Sequence, residues 1–281
     1  MKEAENVTIT ILADNAATPP YRAEHGFSAL IEGIGNDATI LFDTGMGALF
    51  GNAALAGIDL ARVNDVILSH GHYDHTDALG SFLERYPSAH VHASSEIFRD
   101  HYSLRTGTCR RIALSDGNRV MLSALPEGRF QTFGKTASIS NGHIHLAGRI
   151  PRVNTLETPS PLLFENSGCT IPDEVTDEIV LWMETDSGLV IMTGCCHAGF
   201  INTCEHVRAV SGIDTIHAVI GGFHLANVSD ERLLATAEYI RTLKIARVIP
   251  CHCTGDAEIE WLKRKLGAAV AKGECGMAIR L

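Results

Sequence analysis

Within six residues, His70-Gly71-His72-Tyr73-Asp74-His75, the sequence places three histidines and an aspartate. Imidazole nitrogens and carboxylate oxygens are donors for borderline divalent ions such as zinc, and also for manganese and iron(II). The segment follows a buried apolar run, Asp65 to Ser69, and precedes a helical pattern. It therefore reads as a strand-to-helix loop able to aim four side chains at one point. Alternation puts His70 and His72 on one side, suited to a first ion, while Asp74 and His75 turn into the helix and reach a second. The plainer alternative is a polar loop with hydrogen-bonded histidines, and the density of donors argues against it.

The elements that must position this loop follow from periodicity and breakers. Val7 to Leu12 alternates as a first strand, and Phe27 to Glu32 and Ala38 to Phe42 flank a Gly33–Asp37 turn cluster as a hairpin. Gly45 to Ala56 reads as a helix, and Thr76 is expected to cap a second one running to Tyr86 before Pro87. Residues 94–175 mix short strands with loops such as Gly148-Arg149-Ile150-Pro151-Arg152 and give no clear pattern. Beyond them, Glu178–Glu184 and Gly188–Thr193 form a hairpin. A Gly-Cys-Cys-His turn follows, then a helix from Asn202 to Val210, a strand at Ile216–Ile220 and the run Gly221-Gly222-Phe223-His224. A helix at Asp230–Leu243, a strand at Arg247–Pro250 and a last helix from Asp256 complete the chain.

The two halves thus read as divergent copies of a β-β-α-β module, each with an apolar sheet face to cover. Stacking the sheets with helices outside gives an α/β fold, an αββα sandwich, with a site where strand ends meet. No linker composition divides the chain, so residues 1–281 are expected to form one domain. Hydrophobic residues at 45% and charged residues at 20% support a large core. A net charge of −10 without a basic block argues against a nucleic-acid partner, though a local pocket for a phosphorylated small molecule is compatible with it. No signal peptide or membrane-spanning run is read, so a cytoplasmic location is expected. The eight cysteines lack the framework of a small secreted domain and are expected to be reduced thiols. If the Cys251-His252-Cys253 segment is extended, His252 faces away from both thiols, and the two donor types do not share an ion. Oligomeric state is not readable from these residues.

The six-residue motif resembles the His-X-His-X-Asp-His signature of the metallo-β-lactamase superfamily, and Phe42-Asp43-Thr44-Gly45 resembles that family's first motif. Gly194-Cys195-Cys196-His197-Ala198-Gly199, Gly221-Gly222-Phe223-His224-Leu225 and Pro250-Cys251-His252-Cys253-Thr254-Gly255 are similar to a subgroup that includes archaeal pterin-transferring synthases. The resemblance runs from about Thr8 to the C-terminus. It implies that His197 completes a first metal with His70 and His72, and that His252 joins Asp74 and His75 on a second. It implies one or two divalent ions, zinc above all, with manganese or iron as alternatives. Asp43 is expected to orient a ligand histidine. Where many family members carry Gly-Asp, with the aspartate bridging two metals, this chain has Gly194-Cys195. Cys195 is a candidate soft ligand, a buried inert thiol being the alternative. His224, placed in the second half as His72 is in the first, is a candidate for substrate contact or acid catalysis. His143 and His145 alternate along a possible strand as rival ligands, more in keeping with a structural role.

Three functions fit these residues. The first is hydrolysis of an ester or phosphoester by metal-activated water, which Asp74 helps to orient. The second, implied by the subgroup, is pterin transfer, in which an aryl group displaces pyrophosphate from a dihydropterin pyrophosphate. There Arg149 and Arg152 are candidate phosphate contacts. The third is a metal-dependent binding protein without catalysis, and iron-based redox chemistry is a further option.

Overall fold

In the computed structural model of the protein, residues 7–35 and 38–281 are described. The chain opens with β1 (Thr8–Ala13), β2 (Ser28–Ile34) and β3 (Ala38–Phe42), then α1 (Ala48–Leu55), β4 (Asp65–Ile67), the single turn α2 (Tyr73–Thr76), α3 (Leu79–Arg85) and β5 (His90–Ser94). Two short strands, β6 (Tyr102–Ser103) and β7 (Arg110–Arg111), precede α4 (Asp116–Ala124). There follow β8 (Phe130–Phe133), β9 (Thr136–Ile139), β10 (Ile144–Gly148), the short β11 (Leu163–Phe164), β12 (Ile179–Thr185) and β13 (Gly188–Thr193). The rest is α5 (Phe200–Ser211), β14 (Ile216–Gly222), α6 (Asp230–Thr242), β15 (Arg247–Cys251), α7 (Asp256–Leu266) and β16 (Ala278–Arg280). Part of the expected Gly33–Asp37 turn, and of the N-terminus before Val7, lies outside the described residues.

Two sheets carry the fold, ordered β16-β1-β2-β3-β4-β5-β8 and β15-β14-β13-β12-β10-β9. The inner strands, such as β3 and β13, bury both faces, which is why they read as nearly continuous apolar runs. Ile31, Ile40, Phe42 and Ile67 meet Leu181, Met183, Val190 and Met192 between the sheets. The alternate residues Leu30, Leu41 and Val66 pack under Leu49, Ala53 and Phe82 of the helices on one side. Val180, Ile191 and Val219 pack under Phe200, Val207 and Ala237 on the other. These three cores fill the interfaces between the four layers of an αββα sandwich.

The expected duplication is present and extends further than the β-β-α-β unit. The neighbours β1-β2-β3-β4-β5 pair antiparallel, antiparallel, parallel, parallel. The neighbours β10-β12-β13-β14-β15 repeat that sequence of pairings. In both copies the parallel strands end on the same edge, and loops beyond carboxyl strand ends are where such sheets place ligands.

Several local expectations are corrected. Thr76 does not cap α3: the chain is already helical from Tyr73, Thr76 Oγ1 donates to the His72 carbonyl at 2.9 Å, and Ala78 precedes α3. Helix α1 starts at Ala48 because Gly45 and Gly47, with φ of 59° and 140°, lie outside helical conformation. The reduced-thiol expectation fails at one pair, since Cys109 and Cys169 form a disulfide with Cα atoms 6.0 Å apart. The small sheet β11-β6-β7 brings these distant residues together. The other six cysteines are free. Among the described residues, no helix is long and apolar enough to cross a membrane.

Candidate metal centre

Asp43, directly after β3, anchors the site. Its φ of 60° is unusual for a non-glycine residue, and its fully buried carboxylate explains what holds it there. It accepts hydrogen bonds from Ser69 N at 2.7 Å and Ser69 Oγ at 2.6 Å, and lies 2.7 Å from His75 Nδ1. Because Ser69 Oγ donates to Asp43, it accepts from His70 Nδ1, 2.8 Å away. One carboxylate thereby sets the tautomer of two histidines and leaves Nε2 of each with a free lone pair. Gly194 permits this approach, since a Cβ there would lie 2.1 Å from Ser69 Oγ.

Those lone pairs converge with others. His70 Nε2 lies 3.0 Å from His72 Nδ1 and 3.3 Å from His197 Nε2. His197 reaches this point from the turn after β13, where Cys196 has a φ of 60° and Glu178 accepts from the backbone N–H of His197 and Ala198 at 2.6 and 2.8 Å. Burial, reinforced by the neighbouring rings, holds His70, His72 and His197 well below the ordinary histidine pKa, so all three are neutral. Burial pushes Glu178 up to about 7, against the two N–H groups it accepts from. Three neutral imidazoles that aim nitrogens at one point cannot all be satisfied by one another, and His72 Nε2 is also buried without a partner. A divalent cation at the convergence satisfies the set, so these residues fit a metal.

A second group sits beside the first. Asp74 Oδ2 lies 3.4 Å from His252 Nε2 and 3.3 Å from His25 Nε2, and His75 Nε2 lies 3.2 Å from Cys195 Sγ. His252 Nδ1 donates to Asn15 Oδ1 at 2.9 Å, and its backbone N–H donates to Asp14 at 2.8 Å. Burial alone would raise Asp74, but the His252 hydrogen bond and the surrounding rings hold it well below the carboxylate range. Burial likewise lowers His252, yet Asp74 and Cys253 outweigh it and lift His252 to about 9.

The expectation that His252 and the thiols face apart is half corrected. Cys251, the last residue of β15, does point away. At His252, however, φ is 49° and a 3₁₀ turn through Thr254 begins, so strand alternation stops and Cys253 swings to the His252 side. Cys195, His252 and Cys253 each offer a donor within 4.8 Å of the others.

The cleft above these groups encloses about 440 Å³ and is lined by His25, Tyr73, Asp74, Arg105, Arg110 and His224 among others. His224 packs tilted against His197, with ring centroids 4.5 Å apart, and accepts from Arg105 Nη2 at 3.3 Å. Arg149 and Arg152 are not brought to this cleft. They line a separate depression with Glu96 and Glu174, where Arg149 pairs with Glu96 and Arg152 donates to the Glu174 carbonyl at 2.9 Å. His143 and His145 also lie elsewhere, His143 beside Gly35 and His145 stacked on Trp182. Sequence reading missed His25, Cys253 and Arg105. Cys253 had a signal in its spacing from His252, whereas His25 and Arg105 stand in loops with no pattern of their own.

The fold and site together define a class. The family profile of the metallo-beta-lactamase superfamily matches residues 21–252, and the chain belongs to that superfamily. Among curated proteins it is similar to the 7,8-dihydropterin-6-methyl-4-(beta-D-ribofuranosyl)-aminobenzene-5'-phosphate synthase of Methanocaldococcus jannaschii, at 30% identity over 270 residues, 90% of this chain and 89% of that protein. An uncharacterized protein of the same organism is 32% identical over 249 residues, 88% of this chain and 90% of its own length. Among solved structures, a metal-dependent hydrolase of the beta-lactamase superfamily matches with a TM-score of 0.82 at 28% identity, covering 98% of this chain and 99% of that one. The fold protein YhfI from Bacillus subtilis, at 13% identity and a TM-score of 0.60, covers 99% of this chain and all of its own, and shares the fold alone.

Proposed function

We propose that this chain is a metal-dependent enzyme that hydrolyses a small phosphate-bearing ester. The observation that carries the reading is Arg105, held by His224 over the same cleft whose floor is the histidine and aspartate cluster. His70, His72 and His197 would hold a divalent ion, which would supply Lewis-acid stabilisation of developing negative charge and make water more acidic. Asp74, ionised and flanked by His25 and His252, is placed to orient an attacking water molecule by accepting its hydrogen bond. Arg105 and Arg110 offer guanidinium forks that match phosphate oxygens. His224 acts by orienting Arg105, because in that contact its Nε2 is the acceptor. The substrate is a small molecule, as the cleft volume suggests.

A second reading, transfer of a pterin with release of pyrophosphate, is favoured by the 30% identity to the archaeal synthase along nearly the whole chain. The same arginines would then steady the departing pyrophosphate. One experiment separates the two: supply phosphoesters and a dihydropterin pyrophosphate, each with and without an aminobenzene acceptor. Phosphate or alcohol release without acceptor supports hydrolysis. Pyrophosphate release that requires the acceptor overturns it in favour of transfer. Absence of metal after reconstitution overturns both.

A further inference from the structure

We propose that Cys195 and Cys253 are paired thiolate ligands of the second metal position, together with His252, so that it takes a thiophilic ion such as zinc, iron(II) or cobalt(II) rather than magnesium. The proposal rests on the metal-centre reading above and goes beyond it in naming the donors and the class of ion.

Three observations carry it. The first is proximity, with Cys195 Sγ, a His252 ring nitrogen and Cys253 Sγ within 4.8 Å of one another. His252 Nδ1 is engaged by Asn15, so Nε2 is the free donor; it faces Asp74 Oδ2 at 3.4 Å, and His75 Nε2 lies 3.2 Å from Cys195 Sγ. The second is a backbone shaped for the two sulfurs. Gly222 ends β14 between them, and a Cβ there would lie 2.7 Å from Cys253 Sγ and 3.3 Å from Cys195 Cα. The left-handed φ of His252 turns Cys253 inward, where its Sγ reaches the Cys195 carbonyl at 3.3 Å. The third is contrast with the remaining free thiols. Cys196 bonds to Thr203 Oγ1, Cys251 to the Ile249 carbonyl and Cys275 to the Asp14 carbonyl, while Cys204 packs in the core from the buried face of α5. Those contacts are with hydroxyl, carbonyl or apolar groups, whereas Cys195 and Cys253, the latter also against the Cys195 carbonyl, lie within donor distance of His252.

The chemistry follows from the donor set. Two sulfurs and an imidazole nitrogen suit zinc, and thiolates bind hard magnesium poorly. As thiolates, Cys195 and Cys253 would each supply one of the two negative charges that balance the ion.

Zinc X-ray absorption on the wild-type, zinc-loaded protein tests this without any variant. The expected result is a sulfur shell at about 2.3 Å beside nitrogen and oxygen at about 2.0–2.1 Å. Two bound zincs with nitrogen and oxygen neighbours alone would overturn the thiolate proposal and leave the metal centre standing. Cobalt(II) substitution apportions the sulfurs. Cys195→Ser and Cys253→Ser are each expected to lose roughly half of the near-ultraviolet thiolate-to-cobalt band, while His72→Ala keeps the band and loses the other ion. An unchanged band in Cys253→Ser would overturn its role, and failure of wild-type protein to bind either ion would overturn the metal reading as well.

Discussion

The side chains that would hold metal are arranged by others that would not touch it. Asp43 is the clearest, since it accepts from Ser69 and His75 and through Ser69 orients His70. Partners of this kind change metal affinity by about 10–100-fold when removed. Asp43→Asn is accordingly expected to weaken binding by that factor, measured by competition with a chromophoric chelator. Retention of wild-type affinity would show that packing alone orients the rings. His72→Ala is expected to cut metal content and abolish turnover while the circular dichroism spectrum stays near wild type. Wild-type metal content and turnover in that variant would refute the assignment of the ligand cluster.

At the scale of elements, the hairpin of β6 and β7 carries Arg105 over the cleft, and the Cys109–Cys169 disulfide ties it to the chain beyond β11. Arg105→Ala is expected to lower kcat/KM for phosphorylated substrates by about 10–100-fold, the value of a charge-assisted hydrogen bond. An uncharged ester should be little affected, and equal losses on both would show that Arg105 acts on fold rather than on substrate. The disulfide closes a sequence separation of 60 residues. Loop-closure entropy gives such a bridge about 4 kcal/mol of stabilisation in the chain-entropy model. Cys109→Ser should lower the urea midpoint and raise KM more than it lowers kcat, because the residue anchors a wall rather than the metal floor. A wild-type KM would mean that the hairpin keeps its place without the bridge.

Over the whole molecule, a buried charged group joins the segments beside β6 and β11 to the metal loop. His101 lies between Asp173, at 2.5 Å, and Asp177, at 3.3 Å, and Asp177 also accepts from Gly71 N at 2.7 Å. Burial pushes His101 down, but the two carboxylates outweigh it and raise it to about 10. The folded protein therefore keeps a proton that the unfolded chain releases near an ordinary imidazole pKa of about 6.5. This contribution to stability is complete below that pH and is lost as pH rises through 10. Urea unfolding of the metal-free protein should show stability falling across this alkaline range, and His101→Gln should flatten the fall. An equal slope in the variant would place the titrating group elsewhere.

Much of this protein was legible in its sequence for local physical reasons. The spacing His70-Gly71-His72-Tyr73-Asp74-His75 requires only a strand end to bring donors together, and strand alternation and turn residues located most of the two repeated sheets. The near-continuous apolar run Asp65–Ser69 also read as buried, and Val66 and Ile67 are buried in β4. The tertiary structure decided what depends on non-local geometry. The left-handed backbone at His252 broke the alternation that separated histidine from thiol, and one residue of turn was enough to move Cys253 into the site. His25 and Arg105 reach the cleft only because the sheet order draws their loops over it. Cys109 meets Cys169 only through the small β11-β6-β7 sheet. Donor type and spacing are properties of neighbours along the chain, whereas the meeting of strand ends is fixed by how the two sheets pack.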